Sequence, residues 1–123
     1  MSEVIKLVLD FASPEATIES FASVDDALTS QLTQKSAELV DVEIDYDKKR
    51  ADAELAVRSM PVKVTEGYVA ATVDANDDVN SIRRRRDHMR DEVSAVKAAI
   101  SSLERKHSLF KRWLDNQRPL GLN

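Results

Sequence analysis

The chain has 123 residues, 33% of them charged and 5% aromatic, with no cysteine, two Gly and three Pro. That balance excludes a disulfide scaffold and thiolate chemistry, and it fits a helical profile better than a sheet protein of one domain at most. Net charge is −4, divided as −7 over Met1–Met60 and +3 over Pro61–Asn123, with +6 concentrated in Arg83–Arg118. An acidic half followed by a basic half predicts antiparallel charge pairing between helices or a localised basic surface for an anionic partner.

In chain order, Met1–Phe11 alternates loosely through Val4, Ile5, Leu7, Val8, Leu9 and Phe11, consistent with a short strand or a docking arm. The apolar run Val4–Leu9 is too short to cross a membrane and is no signal-peptide core, so a soluble, cytoplasmic protein is expected, in the host cell cytoplasm if phage-encoded. Ser13-Pro14-Glu15-Ala16 reads as a helix start, with Ser13 as N-cap and Pro14 at the first helical position. A second start is read at Ser23-Val24-Asp25-Asp26.

From there to about Ser59 nothing breaks a helix. Leu28, Leu32, Leu39, Val42, Tyr46, Ala53 and Ala56 hold one face together with Lys35 and Lys49, and Val40, Ile44, Ala51 and Leu55 widen the stripe. Pro61 ends the segment, and Thr65 is the natural N-cap of the next. The second long helix carries a 4-3-4-3 seam through Tyr68, Thr72, Ala75, Val79, Ile82, Arg86, Met89, Val93, Val96, Ile100, Leu103, His107, Phe110 and Leu114. A continuous helix over that run would be roughly 70 Å long, which requires other helices, from this subunit or its copies, to cover the seam. The short connection predicts antiparallel neighbours.

The expected architecture is therefore all-α. A short N-terminal segment (1–24) precedes two long antiparallel helices (25–60 and 65–116) in a single domain 1–123 that forms a coiled-coil or helical-bundle oligomer. Met89, Val93, Val96, Ile100, Leu103, His107, Phe110 and Leu114 are the expected oligomerisation seam. Arg86 and His107 within the seam argue against a simple leucine-zipper dimer.

Catalysis finds no motif. His88 and His107 fall roughly 30 Å apart on one helix and cannot share a metal within a subunit. The sequence holds no Gly-rich phosphate loop, nucleophile elbow or HExxH spacing. Asp74, Asp77 and Asp78 lack the glycine and terminal glutamate of a calcium loop and read as a solvated helix face. No enzyme activity, cofactor or metal is expected. His107 on the seam reads as a packed or layer-forming polar residue.

Arg83-Arg84-Arg85-Arg86 is the sharpest feature. Four consecutive helical residues point about 100° apart and cannot form one flat patch. One reading pairs these arginines with the acidic stretch Asp41–Asp47. The other stacks them, from several subunits, into a positive ring for phosphates, with Arg90, Lys48, Lys49 and Arg50 as further basic contacts. Few aromatics interleave with the basic residues, Phe110 and Trp113 beside Lys111, Arg112 and Arg118 excepted, so backbone electrostatics rather than base stacking would dominate.

The order of elements resembles the UvsY-like recombination mediators of bacteriophages. The likeness lies in a long polar helix with Lys48-Lys49-Arg50, a Pro-containing break, the stretch Glu66–Val79, and Ala99-Ile100, Arg105-Lys106, Phe110 and Arg118 near the C-terminus. It runs loosely from about Phe11 to Arg118. It implies a non-enzymatic homo-oligomer that assembles through C-terminal helices, binds single-stranded DNA, and helps load a RecA-type recombinase in place of a single-strand-binding protein. Lys48 and Lys49 match the family's basic positions. Downstream, where the family has further cations, this chain has Ala53 and Leu55, and Arg83–Arg86 would supply the missing charge. A structural or adaptor coiled coil with no nucleic-acid role, its arginines all paired, is the alternative.

Overall fold

The computed structural model describes residues 7–10 and 12–117. Val4, Ile5 and Phe11 of the N-terminal run, and Arg118 with the tail beyond it, lie outside the described residues. The fold is all-α: α1 (Pro14–Arg58), α2 (Glu66–Asp74) and α3 (Asp77–Gln117) follow one another, and no strand occurs among the described residues. The two long helices, α1 and α3, pack together. Contacts divide the chain into two compact units: one holds the residues up to Thr33 with those from Ser94 onward, and the other holds Gln34–Val93. Both long helices contribute to each unit.

In the first unit, Leu7–Asp10 is irregular and is tied to the start of α1, so of the two readings the docking arm holds over these residues. Val8 N–H donates to Ser20 Oγ (2.8 Å), and Asp10 N–H donates to Thr17 Oγ1 (2.8 Å). Thr17 is fully buried, and its hydroxyl donates back to the Asp10 carbonyl at 2.9 Å. Pro14 opens α1 as expected, and the Ser13 carbonyl accepts the Thr17 N–H (3.2 Å). The core behind this lock is Phe21, Leu103 and Phe110, with Leu7, Val24, Leu28, Trp113 and Leu114 packed against it. Phe21 lies 5.9 Å from Phe110 and 4.8 Å from the His107 imidazole, ring centroid to centroid. Thus residues near position 21 meet residues near position 107, as antiparallel segments require.

No second helix start exists at Ser23. α1 runs unbroken for 45 residues, because Val24 and Leu28 sit on the buried face and no Gly or Pro interrupts them. Asp25 and Asp26 are merely exposed helical acids.

The second unit pairs the middle of α1 with the first half of α3. Lys35 bridges Glu92 at 2.9 Å and Glu43 bridges Arg90 at 3.2 Å, which again fixes an antiparallel register. Its apolar cluster is Val57, Val69 and Val73, flanked by Ala53 and Val64. Arg58, in the last turn of α1, bonds Glu54 (2.9 Å) and Glu66 (2.7 Å), linking the end of α1 to the first turn of α2. These carboxylates raise the Arg58 pKa, Glu66 foremost, and Arg58 in turn lowers that of Glu66. Thr65 caps α2, accepting the Tyr68 N–H at 3.1 Å.

Three further expectations need correction. First, the helix expected over 65–116 is broken at Ala75–Asn76. Asn76 acts as a cap: its Oδ1 accepts the Val79 N–H (3.0 Å), and Asp77 and Asp78 fill the first turn of α3. Upstream of the break the buried residues are Val69 and Val73, while Tyr68 and Ala75 are exposed, so the heptad seam begins at Val79.

Second, α1 does not keep a heptad to its end. Its covered positions run Leu39, Val42, Tyr46, Arg50, Ala53 and Val57, with Lys49 and Ala56 exposed. A straight α-helix drifts about 20° per heptad from a strict 3.5 reading, so over the three heptads from Leu28 to Lys49 the covered face moves more than halfway to the next residue.

Third, the expected oligomerisation seam is covered within the single chain. Met89, Val93, Val96, Leu103 and Phe110 are all under 10% exposed, and Ile100, His107 and Leu114 are half-buried. The seam is covered by this chain's own helical packing, which leaves Ile100, His107 and Leu114 partly exposed.

Candidate nucleic-acid interface

The eight cations expected to contact phosphate divide into two sets. One set is engaged inside the Gln34–Val93 unit. Tyr46, on the covered face of α1, is its centre. The Arg86 guanidinium carbon lies 4.2 Å from the Tyr46 ring centroid and that of Arg83 lies 5.9 Å away. Arg50, one turn along α1 from Tyr46, donates to its hydroxyl at 3.4 Å. Arg50 and Arg83 also share one carboxylate oxygen of Asp74, at 3.3 and 3.4 Å, and Arg83 donates to Asn80 Oδ1 at 2.8 Å. Arg86 reaches its neighbour Asp87 at 3.1 Å, and Arg90 reaches Glu43.

The electrostatics follow from this crowding. The Arg83 guanidinium first, and then that of Arg50, hold the Tyr46 phenol below its ordinary value by hydrogen bonding and charge. The same contacts raise the pKa of both arginines. Arg86 explains how a charged residue sits at a seam position. Only 17% of its side chain is exposed, and the facing residue is an aromatic ring rather than an aliphatic chain. A guanidinium over a partly desolvated ring contributes about 1 kcal/mol.

The acidic stretch Asp41–Asp47 is not the general partner that one reading assigned to the arginines. It supplies only Glu43, to Arg90; no arginine among the described residues bridges to Asp41, Asp45 or Asp47. The principal carboxylate is Asp74, read from sequence as part of a solvated face. Its role was hidden because it depends on where α2 ends and how Asn76 turns the chain: Asn80 Nδ2 donates to the Asp74 carbonyl at 3.0 Å, closing that corner. Tyr46 carried one local signal, an arginine four residues later on the same helical face.

The other set is open. Lys48, Lys49, Arg84 and Arg85 are exposed, and among the described residues none has a carboxylate within salt-bridge distance. Arg84 Nε donates only to the Asn80 carbonyl, at 3.3 Å. Exposed Asp45, Asp47 and Asp52 surround the two lysines on α1. Phe110 and Trp113 stack on each other at 5.6 Å, and Phe110 is a core residue, so it offers no face to a base.

His88 bonds Glu92 at 3.0 Å, the carboxylate that also receives Lys35. Among the described residues no group of three or more His, Asp or Glu side chains could hold a metal ion. Among the described residues no helix is long and apolar enough to cross a membrane. Comparison of the chain with family models, curated proteins and solved structures finds no match in any of the three.

Proposed function

We propose that this chain is a non-enzymatic, homo-oligomeric protein that binds single-stranded DNA through its phosphates. It would work in the cytoplasm (the host's, for a phage-encoded chain) as a recombination mediator that helps load a RecA-type recombinase against a single-strand-binding protein. The observation that carries the reading is the open set Lys49, Arg84 and Arg85 with Lys48, cations left without carboxylate partners in the Gln34–Val93 unit, whose other arginines, Arg50, Arg58, Arg83, Arg86 and Arg90, are engaged. The resemblance to UvsY-like mediators supplies the biological role. Arg50, Arg83, Arg86 and Arg90 then serve to hold the helices, and the open set meets the backbone. With so few contacts, and with the nearby Tyr46 ring already faced by Arg83 and Arg86, binding is sequence-tolerant and falls with salt, with a log–log slope of about −2 to −3.

Fluorescence anisotropy of a labelled oligonucleotide at low salt tests this. Lys49→Ala/Arg84→Ala/Arg85→Ala is expected to weaken binding by at least about tenfold while leaving the helical signal unchanged. Absence of wild-type binding at low salt would overturn the reading. A second reading, a structural or adaptor helical protein without a nucleic-acid role, is favoured by the pairing of Arg50, Arg83, Arg86 and Arg90. An oligomer in sedimentation velocity, together with no oligonucleotide binding at low salt, would select it.

A further inference from the structure

Within the Gln34–Val93 unit, arginines meet carboxylates in two distinct geometries. Arg58 meets Glu66 as a fork, with a separate guanidinium nitrogen on each carboxylate oxygen, at 2.8 and 2.7 Å. Those lengths match a well-formed charge-assisted pair, about 2.7–2.9 Å per bond. Asp74 is bound differently. Arg50 and Arg83 converge on the same oxygen of Asp74, at 3.3 and 3.4 Å, so two cations share one acceptor at long range. Each of them also has an anchor that does not depend on Asp74. Arg50 donates to the Tyr46 hydroxyl, and Arg83 donates to Asn80 Oδ1 at 2.8 Å and faces the Tyr46 ring. The Tyr46 hydroxyl brings a further O–H donor to the same place. Asp74 is the outer member of the group: its side chain is 57% exposed, against 39% for Arg50 and 29% for Arg83. Rotation of that one side chain into solvent uncovers two guanidiniums that their other partners keep in position. Lys49 precedes Arg50 and Arg84 follows Arg83, so the open cations begin one residue away on both helices.

We propose that Arg50 and Arg83, with the Tyr46 hydroxyl, form a phosphate site, and that Asp74 is its built-in competitor. A phosphate group presents several oxygens where Asp74 presents one, so each guanidinium takes its own oxygen at short range while Asp74 turns outward. For its ligand, a backbone phosphate, the proposal rests on the nucleic-acid reading above. It adds a control to that reading: the internal carboxylate must be displaced before Arg50 and Arg83 join the open set. Arg86 and Arg90 keep their own partners, Asp87 and Glu43, and continue to hold the helices. Exposed ion pairs are weak, so the displacement is within reach of a single phosphate.

Asp74→Asn keeps the shape of the side chain and removes its charge. Asp77→Asn removes an exposed acid three residues on that has no salt-bridge partner among the described residues, and so controls for net charge alone. In fluorescence anisotropy at low salt, Asp74→Asn is expected to tighten oligonucleotide binding at least about threefold more than Asp77→Asn does, with unchanged helical content. Adding Arg50→Gln and Arg83→Gln to Asp74→Asn should abolish that gain. A second arm uses inorganic phosphate and no nucleic acid, titrated at constant ionic strength while backbone amide resonances are followed. Asp74→Asn is expected to show saturable shifts at Tyr46, Arg50 and Arg83, with a dissociation constant at least about threefold below that of the wild type. Equal oligonucleotide gains from Asp74→Asn and Asp77→Asn, or phosphate titrations that do not separate Asp74→Asn from the wild type, would overturn the proposal. Saturable phosphate binding by Asp74→Asn in a chain that never binds oligonucleotide would remove the nucleic-acid reading alone and support the phosphate site.

Discussion

The aromatic core around Phe21, Leu103 and Phe110 and the valine core around Val57, Val69 and Val73 stabilise their units by different means. The first concentrates large rings and leucines at one place and seals it with Thr17, a buried hydroxyl that both donates and accepts. The second has small side chains, and around them the Gln34–Val93 unit is laced with ion pairs: Lys35–Glu92, Arg90–Glu43, and Arg50 and Arg83 on Asp74. A buried ring removes far more apolar surface from water than a valine does, whereas exposed ion pairs contribute little and are screened by salt. The unit that carries the candidate interface is thus the one that depends more on charge.

Substitutions can break that contrast, and the largest effect belongs to the aromatic core. Phe110→Ala should cost about 3–5 kcal/mol in urea unfolding, because it empties the space between Phe21 and Trp113. Val73→Ala in the other unit should cost less, about 2 kcal/mol. Equal losses would erase the distinction. Next in size, Thr17→Val removes the acceptor of the Asp10 N–H and should cost roughly 1–3 kcal/mol, read in the same titration. The smallest effect is the pH and salt response of the ion-pair unit.

Hydrogen bonding to Lys35 holds the Glu92 carboxyl below its usual 4.5, and the same contact holds Lys35 above 10.5. The contribution of Glu92 is therefore complete above its usual value and is lost as pH falls through the lowered one. That of Lys35 is complete below 10.5 and is lost as pH rises through the raised value. Glu92→Gln should lower the thermal midpoint slightly at neutral pH, and the difference should vanish in strong acid and shrink in high salt. A difference that survives both would mean Glu92 acts through packing instead.

Much of this was legible in the sequence, for reasons that differ along the chain. The seam Val79–Leu114 could be read because its 3.5-residue period is unbroken and every position on it is covered or half-covered. The end of α1 could not be phased the same way, since Arg50 and Val57 replace Lys49 and Ala56 once the straight helix's 3.6-residue period accumulates. The break before α3 carries neither Gly nor Pro. One Asn76 cap with two acids behind it is a weak signal inside a strongly helical run. What covers the seam was not legible either, because periodicity names a helix face without saying whether its partner lies in the same chain. The arginines followed from that: Asp74 reaches Arg50 across 24 residues of sequence only because α2 ends where it does.

The central claim is that the Met89–Leu114 seam is satisfied within one chain. Unfolding of the Ile44→Asp variant, which carries a charge in place of an exposed isoleucine of α1, at about 1 µM and about 100 µM tests it most directly. The account predicts the same midpoint and the same helical signal at both concentrations. A midpoint that climbs with concentration would contradict it, because the seam would then be shared between chains.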